Sequence, residues 1–271
     1  MHMRIFALDS KYFSLFLVLI LFSSSLSGCF SKEEVLPEKH GIPGGLVLAC
    51  LNSSKFTEIV IEVDYEQDQK PRPETLELLV DRINSVCEKQ SVSYELFLTD
   101  FKHEGVWTNE EIRLLGRETR ESNAMNDDQL RFHFMFPSGK HANENVLGVT
   151  VDASTVMIFV DNIKESENII QRPSWENIEA SVSVHELGHL LGLVNLVYES
   201  NIDHEDSEHA GHSSNDESVM YWAIESSDIS NIVWGTLPND FDNDDRSDLS
   251  NLKNSQIKAN DQLWYPEGYL Y

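Results

Sequence analysis

The amino-acid sequence predicts an α/β (α+β) fold in which helices pack against a mixed, twisted sheet. Three observations support this class. Apolar, strand-like segments alternate with segments of helical periodicity between residues 56 and 162. A longer helical segment follows at 174–193. The chain has 271 residues, of which 41% are hydrophobic, so it can bury a sizeable core.

The predicted elements follow one another along the chain in a regular order. Strands are expected at 56–66, 92–98, 129–136, 146–152 and 154–162. Helices are expected at 72–90, where apolar residues recur at helical spacing, and at 108–121, where Thr108 and Glu111 stand in capping-box register. The last predicted helix begins near Ser174, just after Pro173. Strands that alternate with helices indicate a sheet covered by helices.

The first 28 residues are typical of a secretory signal. A basic start precedes an uninterrupted apolar run at 15–22, which is too short to span a bilayer comfortably, and small polar residues follow it. Residues 26–29, "LSGC", resemble the lipobox of bacterial and some archaeal lipoproteins, which implies that Cys29 is lipidated and anchors the mature chain to a membrane. An ordinary secretory signal and a retained membrane anchor are the alternatives. All three predict an extracytoplasmic chain.

The rest of the chain divides into a tether and one domain. Residues 29–45 are polar and rich in Gly and Pro, which is typical of a linker, and residues 46–271 carry the alternating pattern. The domain contains two cysteines, Cys50 and Cys87. In an oxidising compartment they could form a disulfide, but two buried free thiols explain them equally well.

The charge of the chain limits its partners. Lys and Arg number 20 against 46 Asp and Glu, for a formal net charge of -26. A charge of this sign opposes binding to phosphate backbones, so no nucleic acid is expected as a partner. Solubility, or adaptation to a salty medium, explains the acidity without a specific partner.

Residues 184–195, "VHELGHLLGLVN", carry the strongest chemical motif in the sequence. His185 and His189 are four residues apart, so on a helix they share one face and can reach a single ion. Glu186 lies beside the first histidine, where its carboxylate can take a proton from the attacking water. The pattern is that of the HExxH zinc helix. Gly192 follows at the point where the helix must end in a sharp turn, which favours a residue that tolerates positive φ.

The segment "HELGHLLG" resembles the first eight residues of the metzincin signature HExxHxxGxxH, whose last histidine is the third zinc ligand. Asn195 stands at that position, and an amide is a poor zinc ligand. The chain is similar to archaemetzincins, a metzincin branch, if an insertion at 195–211 is allowed. In that branch the third histidine precedes the methionine of the Met-turn by eight residues, as His212 precedes Met220 here.

The resemblance implies a metzincin-like zinc peptidase domain at 46–271. His185, His189 and His212 would hold one zinc ion, Glu186 would act as general base, and Met220 would form a hydrophobic floor beneath the metal. A peptide or protein is then the expected substrate. The family's two cysteines after the third histidine are serines here, so a second zinc is not expected. The resemblance also implies that the lowest strand of the sheet borders the cleft, with the zinc helix below it, and residues 155–161 are the candidate for this strand.

Several alternatives to these ligands remain open at the level of sequence. Glu208, as in gluzincins, or His209 could replace His212 as third ligand, whereas a solvated acidic loop is the expected environment of His204 and His209. At the level of function, the alternative is a membrane-anchored binding or interaction module with a structural or vestigial zinc site.

Residues 240–251 form a second acidic segment. Asp240, Asp242, Asp244 and Asp248 are reminiscent of the first half of a calcium loop, but Asp245 stands where an EF-hand needs glycine, and position twelve is Asn251 rather than glutamate. Calcium binding is therefore a secondary possibility. A helix N-terminus rich in acidic residues explains the segment equally simply.

Overall fold

A mixed sheet of six strands forms the centre of the computed structural model, which describes residues 41–103, 105–166, 173–227, 229 and 236–260. All of these residues belong to one compact unit. The mixed α/β class predicted from the sequence is confirmed. No helix among the described residues is both long enough and apolar enough to cross a membrane. The predicted signal segment and Cys29 lie outside the described residues.

The strands of the main sheet lie in the order β2, β1, β5, β8, β7, and β4 pairs with β5. Strands β2, β1, β5 and β8 run parallel to one another. Strand β7 is antiparallel to β8, and β4 is antiparallel to β5. Strands β3 and β6 form a separate parallel pair. The bounds are β1 Glu58–Tyr65, β2 Ser91–Leu98, β3 Val106–Trp107, β4 Met125–Asn126, β5 Gln129–Phe136, β6 Lys140–His141, β7 Gly148–Thr150 and β8 Thr155–Ile158.

Six α-helices are described, together with one short 3-10 helix at Trp222–Glu225. Their bounds are α1 Val47–Leu51, α2 Pro73–Val86, α3 Asn109–Glu118, α4 Val160–Ser166, α5 Trp175–Leu190 and α6 Asn243–Lys253. The capping box predicted for α3 is confirmed, because the Thr108 hydroxyl accepts from the Glu111 amide and the Glu111 carboxylate accepts from the Thr108 amide.

The two faces of the sheet have different chemical characters. Alternate residues of β5, such as Phe132 and Phe134, join the main core together with buried residues of α2 and α5. The residues between them include Arg131 and His133, which lie in a buried polar layer on the opposite face. A smaller apolar cluster that includes Ile112 of α3 covers part of that second face. Both faces of the inner strands β1, β5 and β8 are therefore covered, whereas the residues of the edge strand β2 are exposed or half-buried.

The strand predicted to border the cleft lies inside the sheet. Residues 155–161 do not form the edge strand, because β8 lies between β5 and β7, and β7 is the edge. All four residues of β8 are buried, whereas β7 is only partly buried, as expected for an internal strand beside an edge strand. The predicted strand 154–162 also ends early, at Ile158, because Val160 begins α4.

A disulfide joins Cys50 in α1 to Cys87 at the end of α2, so the alternative of two free thiols is wrong. In the chain-entropy view, a cross-link over 37 residues stabilises a fold by about 4 kcal/mol. The start of the folded unit also differs from the predicted start at residue 46. Gly44 is buried and packs against Gly192, so this part of the predicted tether belongs to the fold.

Candidate metal centre

Helix α5 carries His185, Glu186 and His189 into the interior. It begins after Ser174, as predicted, and its second half is buried. The Nε2 atoms of His185 and His189 lie 3.1 Å apart, which places both rings on one helical face. The chain then leaves the helix at Gly192, whose φ of +77° confirms the predicted need for a residue that tolerates positive φ.

Backbone carbonyls fix the orientation of the three predicted histidine ligands. The Nδ1 atom of His185 donates to the Val219 carbonyl at 2.7 Å, and that of His189 donates to the Leu193 carbonyl at 3.1 Å. His212 Nδ1 donates to a nearby carbonyl at 3.2 Å. A carbonyl can only accept, so each Nδ1 carries a proton and a neutral ring keeps its lone pair on Nε2. This arrangement is typical of histidines that bind a metal through Nε2.

The two ends of the insertion at 195–211 are hydrogen-bonded to each other, and His212 follows directly after it. Its ends meet where the Val194 amide donates to the Gly211 carbonyl at 3.2 Å. The Glu205 carboxylate then links both ends, because it accepts from the Asn195 side chain at 2.8 Å and from the Gly211 amide at 2.9 Å. Asn195 stands where the family signature has its third histidine. Here its side chain helps to link the two ends of the insertion.

The structure brings His212 to His185 and His189. Their Nε2 atoms and a Glu225 carboxylate oxygen all lie within 4.8 Å of one another. Among the described residues, neither His209 nor Glu208 belongs to this group. The His209 ring stacks on Trp222 with centroids 4.3 Å apart, and Glu208 is exposed.

His204 does not lie in a solvated loop, so that prediction is wrong. Its side chain is buried, and its Nε2 lies 3.0 Å from an Asp248 carboxylate oxygen on α6. The acidic composition of the insertion concealed this contact because Asp248 is 44 residues away in sequence. An ion pair between the two side chains compensates for their burial, and it fastens the insertion to α6.

Met220 is fully buried and packs against α5 at Gly188. A Cβ atom added to Gly188 would lie 2.1 Å from the Met220 sulfur, so the methionine needs a glycine at this point of the helix. Gly188 directly precedes His189, which places the Met220 side chain against the part of α5 that carries the histidines.

Asp245 of α6 supports the segment that leads to Met220. Its carboxylate accepts from the Ser218 hydroxyl at 3.0 Å, and that hydroxyl accepts from the Met220 amide at 3.0 Å. The second carboxylate oxygen of Asp245 is buried without a hydrogen-bond partner. Burial, and then repulsion from Asp242, raises the pKa of Asp245 to about 7.

This raised pKa predicts that stability depends on pH. The folded state keeps the Asp245 proton between the ordinary pKa of 3.8 and about 7, whereas the unfolded chain releases it. The contribution of this group to the free energy of unfolding therefore falls as the pH rises through this range. We expect Asp245→Asn to be more stable than the parent by about 1 to 3 kcal/mol at pH 8, and by less at pH 5. Urea unfolding at both pH values measures this, and an equal difference at both would contradict it.

Glu186 is fully buried beside the histidines. One carboxylate oxygen accepts from the Thr150 hydroxyl of β7 at 2.7 Å, and the other is buried without a hydrogen-bond partner. Burial, and then the charge of Glu225, raises the pKa of Glu186 well above its ordinary value. A carboxylate held in one orientation with a free oxygen and a raised pKa is suited to accept a proton.

Glu225 is the member of the site that the sequence analysis missed. It ends the 3-10 helix, and its carboxylate oxygens lie 3.6 Å from His185 Nε2, 4.0 Å from His189 Nε2 and 3.4 Å from His212 Nε2. Burial opposes its charge, but the neighbouring His185 and His212 side chains hold the pKa of Glu225 well below its ordinary value. Its position five residues after Met220 is the one sequence signal that could have indicated it.

The pKa values of His189 and His212 are shifted in opposite directions. Burial, with repulsion from the other two rings, lowers the pKa of His189 to about 3, so this imidazole is neutral. Burial also disfavours the charged form of His212, but the neighbouring Glu225 carboxylate outweighs it and raises the pKa of His212.

A second group of potential metal ligands lies on the opposite face of the sheet. Glu62, Asp64 and His133 converge there, but their carboxylates already have partners. Glu62 accepts from Arg131 at 3.2 Å and from the Glu121 amide at 2.7 Å, and Asp64 bonds to Thr99 and, at 2.7 Å, to His133. This group is a hydrogen-bonded ion-pair network.

The acidic segment at 240–251 forms the start of α6. Asp242 is the N-cap residue, and with Asp245 it forms a capping box. The helix N-terminus that served as the alternative explanation of this segment is therefore present. Calcium binding by the same residues stays a prediction.

Comparisons with known proteins give a similarity of fold. No protein-family model matches the chain, and no curated protein matches its sequence. The solved structure of an archaemetzincin from Methanopyrus kandleri is similar at a TM-score of 0.46 and 12% identity, with 72% of this chain and 94% of that chain covered. An archaemetzincin from Archaeoglobus fulgidus, complexed with malonate, is similar at a TM-score of 0.37 and 13% identity, with 70% and 99% covered.

Proposed function

We propose that this protein is a zinc-dependent metallopeptidase. The observation that carries the proposal is the convergence of three histidine side chains, each ring oriented by a carbonyl on Nδ1. The buried Glu186 directly follows the first of them on the same helix. The HExxH arrangement on α5 supplies His185 and His189. The third ring is that of His212, which lies between the insertion at 195–211 and Met220.

The donor atoms fit zinc. Two imidazole nitrogens bound to one tetrahedral zinc ion are about 3.3 Å apart, and the Nε2 atoms of His185 and His189 are 3.1 Å apart. His212 Nε2 and one Glu186 oxygen are buried without a hydrogen-bond partner, a costly state for polar atoms that a metal and its ligands would relieve. Three imidazole nitrogen donors are a set that suits zinc and does not suit magnesium or calcium.

The residues of the site have distinct roles in the proposed reaction. Zinc, when held by His185, His189 and His212, supplies a Lewis acid for the attacking water and the scissile carbonyl. Glu186 accepts a proton from the attacking water through its free oxygen and returns it to the leaving amine. Thr150 donates to the other Glu186 oxygen and holds the carboxylate in this orientation.

The proposed substrate is a peptide or protein, and the proposed location is the outer side of a membrane. The support for this location is the signal-like segment at 1–28 followed by Cys29 as the lipidation site. The net charge of -26 disfavours nucleic acid as a partner.

Metal removal tests the proposed function. We expect the purified full chain to cleave unstructured peptides from a mixed-sequence library, to lose this activity after dialysis against a chelator, and to regain it with one equivalent of Zn²⁺. Mass spectrometry of the products measures the cleavage. Cleavage that survives chelation would instead point to a contaminating or metal-independent peptidase, and no cleavage by a zinc-loaded chain would favour a binding module with a structural zinc.

A further inference from the structure

We propose that Glu225 is a fourth protein ligand, which closes the metal site until an incoming ligand displaces it. This inference rests on the proposed function, because it concerns the same ion. Structural zinc sites have four protein ligands, whereas catalytic sites keep one position open. The described residues place an acidic side chain where that open position is expected.

The distances support this position for the Glu225 carboxylate. In a tetrahedral site, a ligand oxygen at the fourth vertex lies about 3.3 Å from each of the three nitrogens. Glu225 Oε2 lies 3.6 Å from His185 Nε2 and 4.0 Å from His189 Nε2, and Glu225 Oε1 lies 3.4 Å from His212 Nε2. One atom of each of these four side chains lies within 4.8 Å of the others, so a Glu225 oxygen can reach the same ion as the three rings after a side-chain adjustment.

Glu225 differs from Glu186 in what binds its side chain. Thr150 holds one oxygen of Glu186, which ties that carboxylate to β7. In the described part of the chain, the only basic side chains within 4.0 Å of the Glu225 carboxylate are the three histidines. Its carboxylate thus has no other partner there to keep it from the metal, whereas Glu186 is held in a separate place.

The backbone of Glu225 is anchored, but its side chain has room to move. The Glu225 carbonyl accepts from the Leu147 amide at 2.8 Å, and the Ser227 amide donates to the Asn145 carbonyl at 2.8 Å, next to a bridge between Val146 and Ser226. These bonds tie residues 225–227 to the segment that leads into β7. The side chain is 32% exposed, so it can rotate into solvent while its backbone stays bound.

Displacement is then an exchange of one oxygen ligand for another. An oxygen of the incoming ligand would replace the Glu225 oxygen, and the freed Glu225 carboxylate would rotate into solvent. No proton or electron needs to be supplied. The resting protein would consequently bind zinc tightly and present no open position to a small ligand.

Glu225→Ala and Glu225→Gln, with Glu217→Ala as control, test this in the full chain. Glu217 is an exposed acid in the same segment and lies outside the metal group. Zinc affinity is measured by competition with a chromophoric chelator. The geometry at the metal is followed by the visible absorption of bound Co²⁺, and access to the metal by titration with acetohydroxamate.

We expect Glu225→Ala to bind zinc at least about tenfold more weakly, to change the Co²⁺ absorption and to bind acetohydroxamate at least about tenfold more tightly, because no carboxylate has to be displaced. Glu225→Gln should shift the same way, and it decides the question if the alanine variant does not fold. The control should match the parent. Unchanged affinity and absorption in both Glu225 variants would overturn the inference while the proposed function stands. A parent chain that binds no zinc would overturn both.

Discussion

Replacement of Glu186 by glutamine is expected to lower peptide hydrolysis by about 10² to 10⁴-fold and to leave zinc bound. The amide keeps the shape of the carboxylate and can still accept from Thr150, whose hydroxyl lies 2.7 Å from it in the parent. It cannot accept the proton of the attacking water, so it removes the general base and preserves the three ligands. Initial rates of cleavage and zinc content measure the two effects on the same sample.

Glu176→Gln is the matched control for this variant. Glu176 lies in the first turn of the same helix, where its contact is an ion pair with Arg72 at 3.6 Å near the surface. We expect it to retain both activity and zinc, because such a pair contributes little to stability. A Glu186→Gln variant that cleaves peptides as fast as the parent would mean that another group accepts the proton, or that the cleavage takes place elsewhere.

Replacement of His212 by alanine is expected to weaken zinc binding by about 100-fold or more, which exceeds the loss expected for a residue that only supports a ligand. His212 Nε2 is one of three imidazole donors that converge, and no other histidine among the described residues belongs to the group. Hydrolysis should be lost at zinc concentrations that saturate the parent. Competition with a chelator measures the affinity.

The His209→Ala variant is the control for His212→Ala, because it removes a nearby histidine that is not a proposed zinc ligand. His209 lies three residues before His212, but its ring stacks on Trp222 and lies 3.3 Å from Asp206. We expect this variant to bind zinc as the parent does. If His209→Ala lost zinc and His212→Ala kept it, the insertion would have to place the other histidine at the metal.

The sequence predicted the features that depend on residues close to one another along the chain. The helix that carries His185 and His189 follows from a four-residue spacing, and the α3 cap follows from the register of Thr108 and Glu111. Strand β5 has the predicted bounds because Phe132, Phe134 and Phe136 recur along it with the strand period of two. Each of these features depends on residues that lie within a few positions of one another.

The features that the sequence missed depend on contacts between distant segments. Glu225 reaches the histidines because its backbone bonds to Leu147, far along the chain, and no short motif encodes that contact. His204 is buried because Asp248 of α6 meets it. Residues 155–161 were the candidate for the lowest strand, but β7 lies beyond them, because the order of β7 and β8 depends on pairing, which periodicity does not specify.

Zinc content of the purified full chain, determined by elemental analysis after extensive dialysis, tests the central claim most directly. One zinc per chain is the predicted result, since three imidazoles and the Glu225 carboxylate form a single group and the Glu62 group is already hydrogen-bonded. A chain that retains no zinc would contradict the metallopeptidase proposal, and two zinc ions per chain would contradict the assignment of a single site.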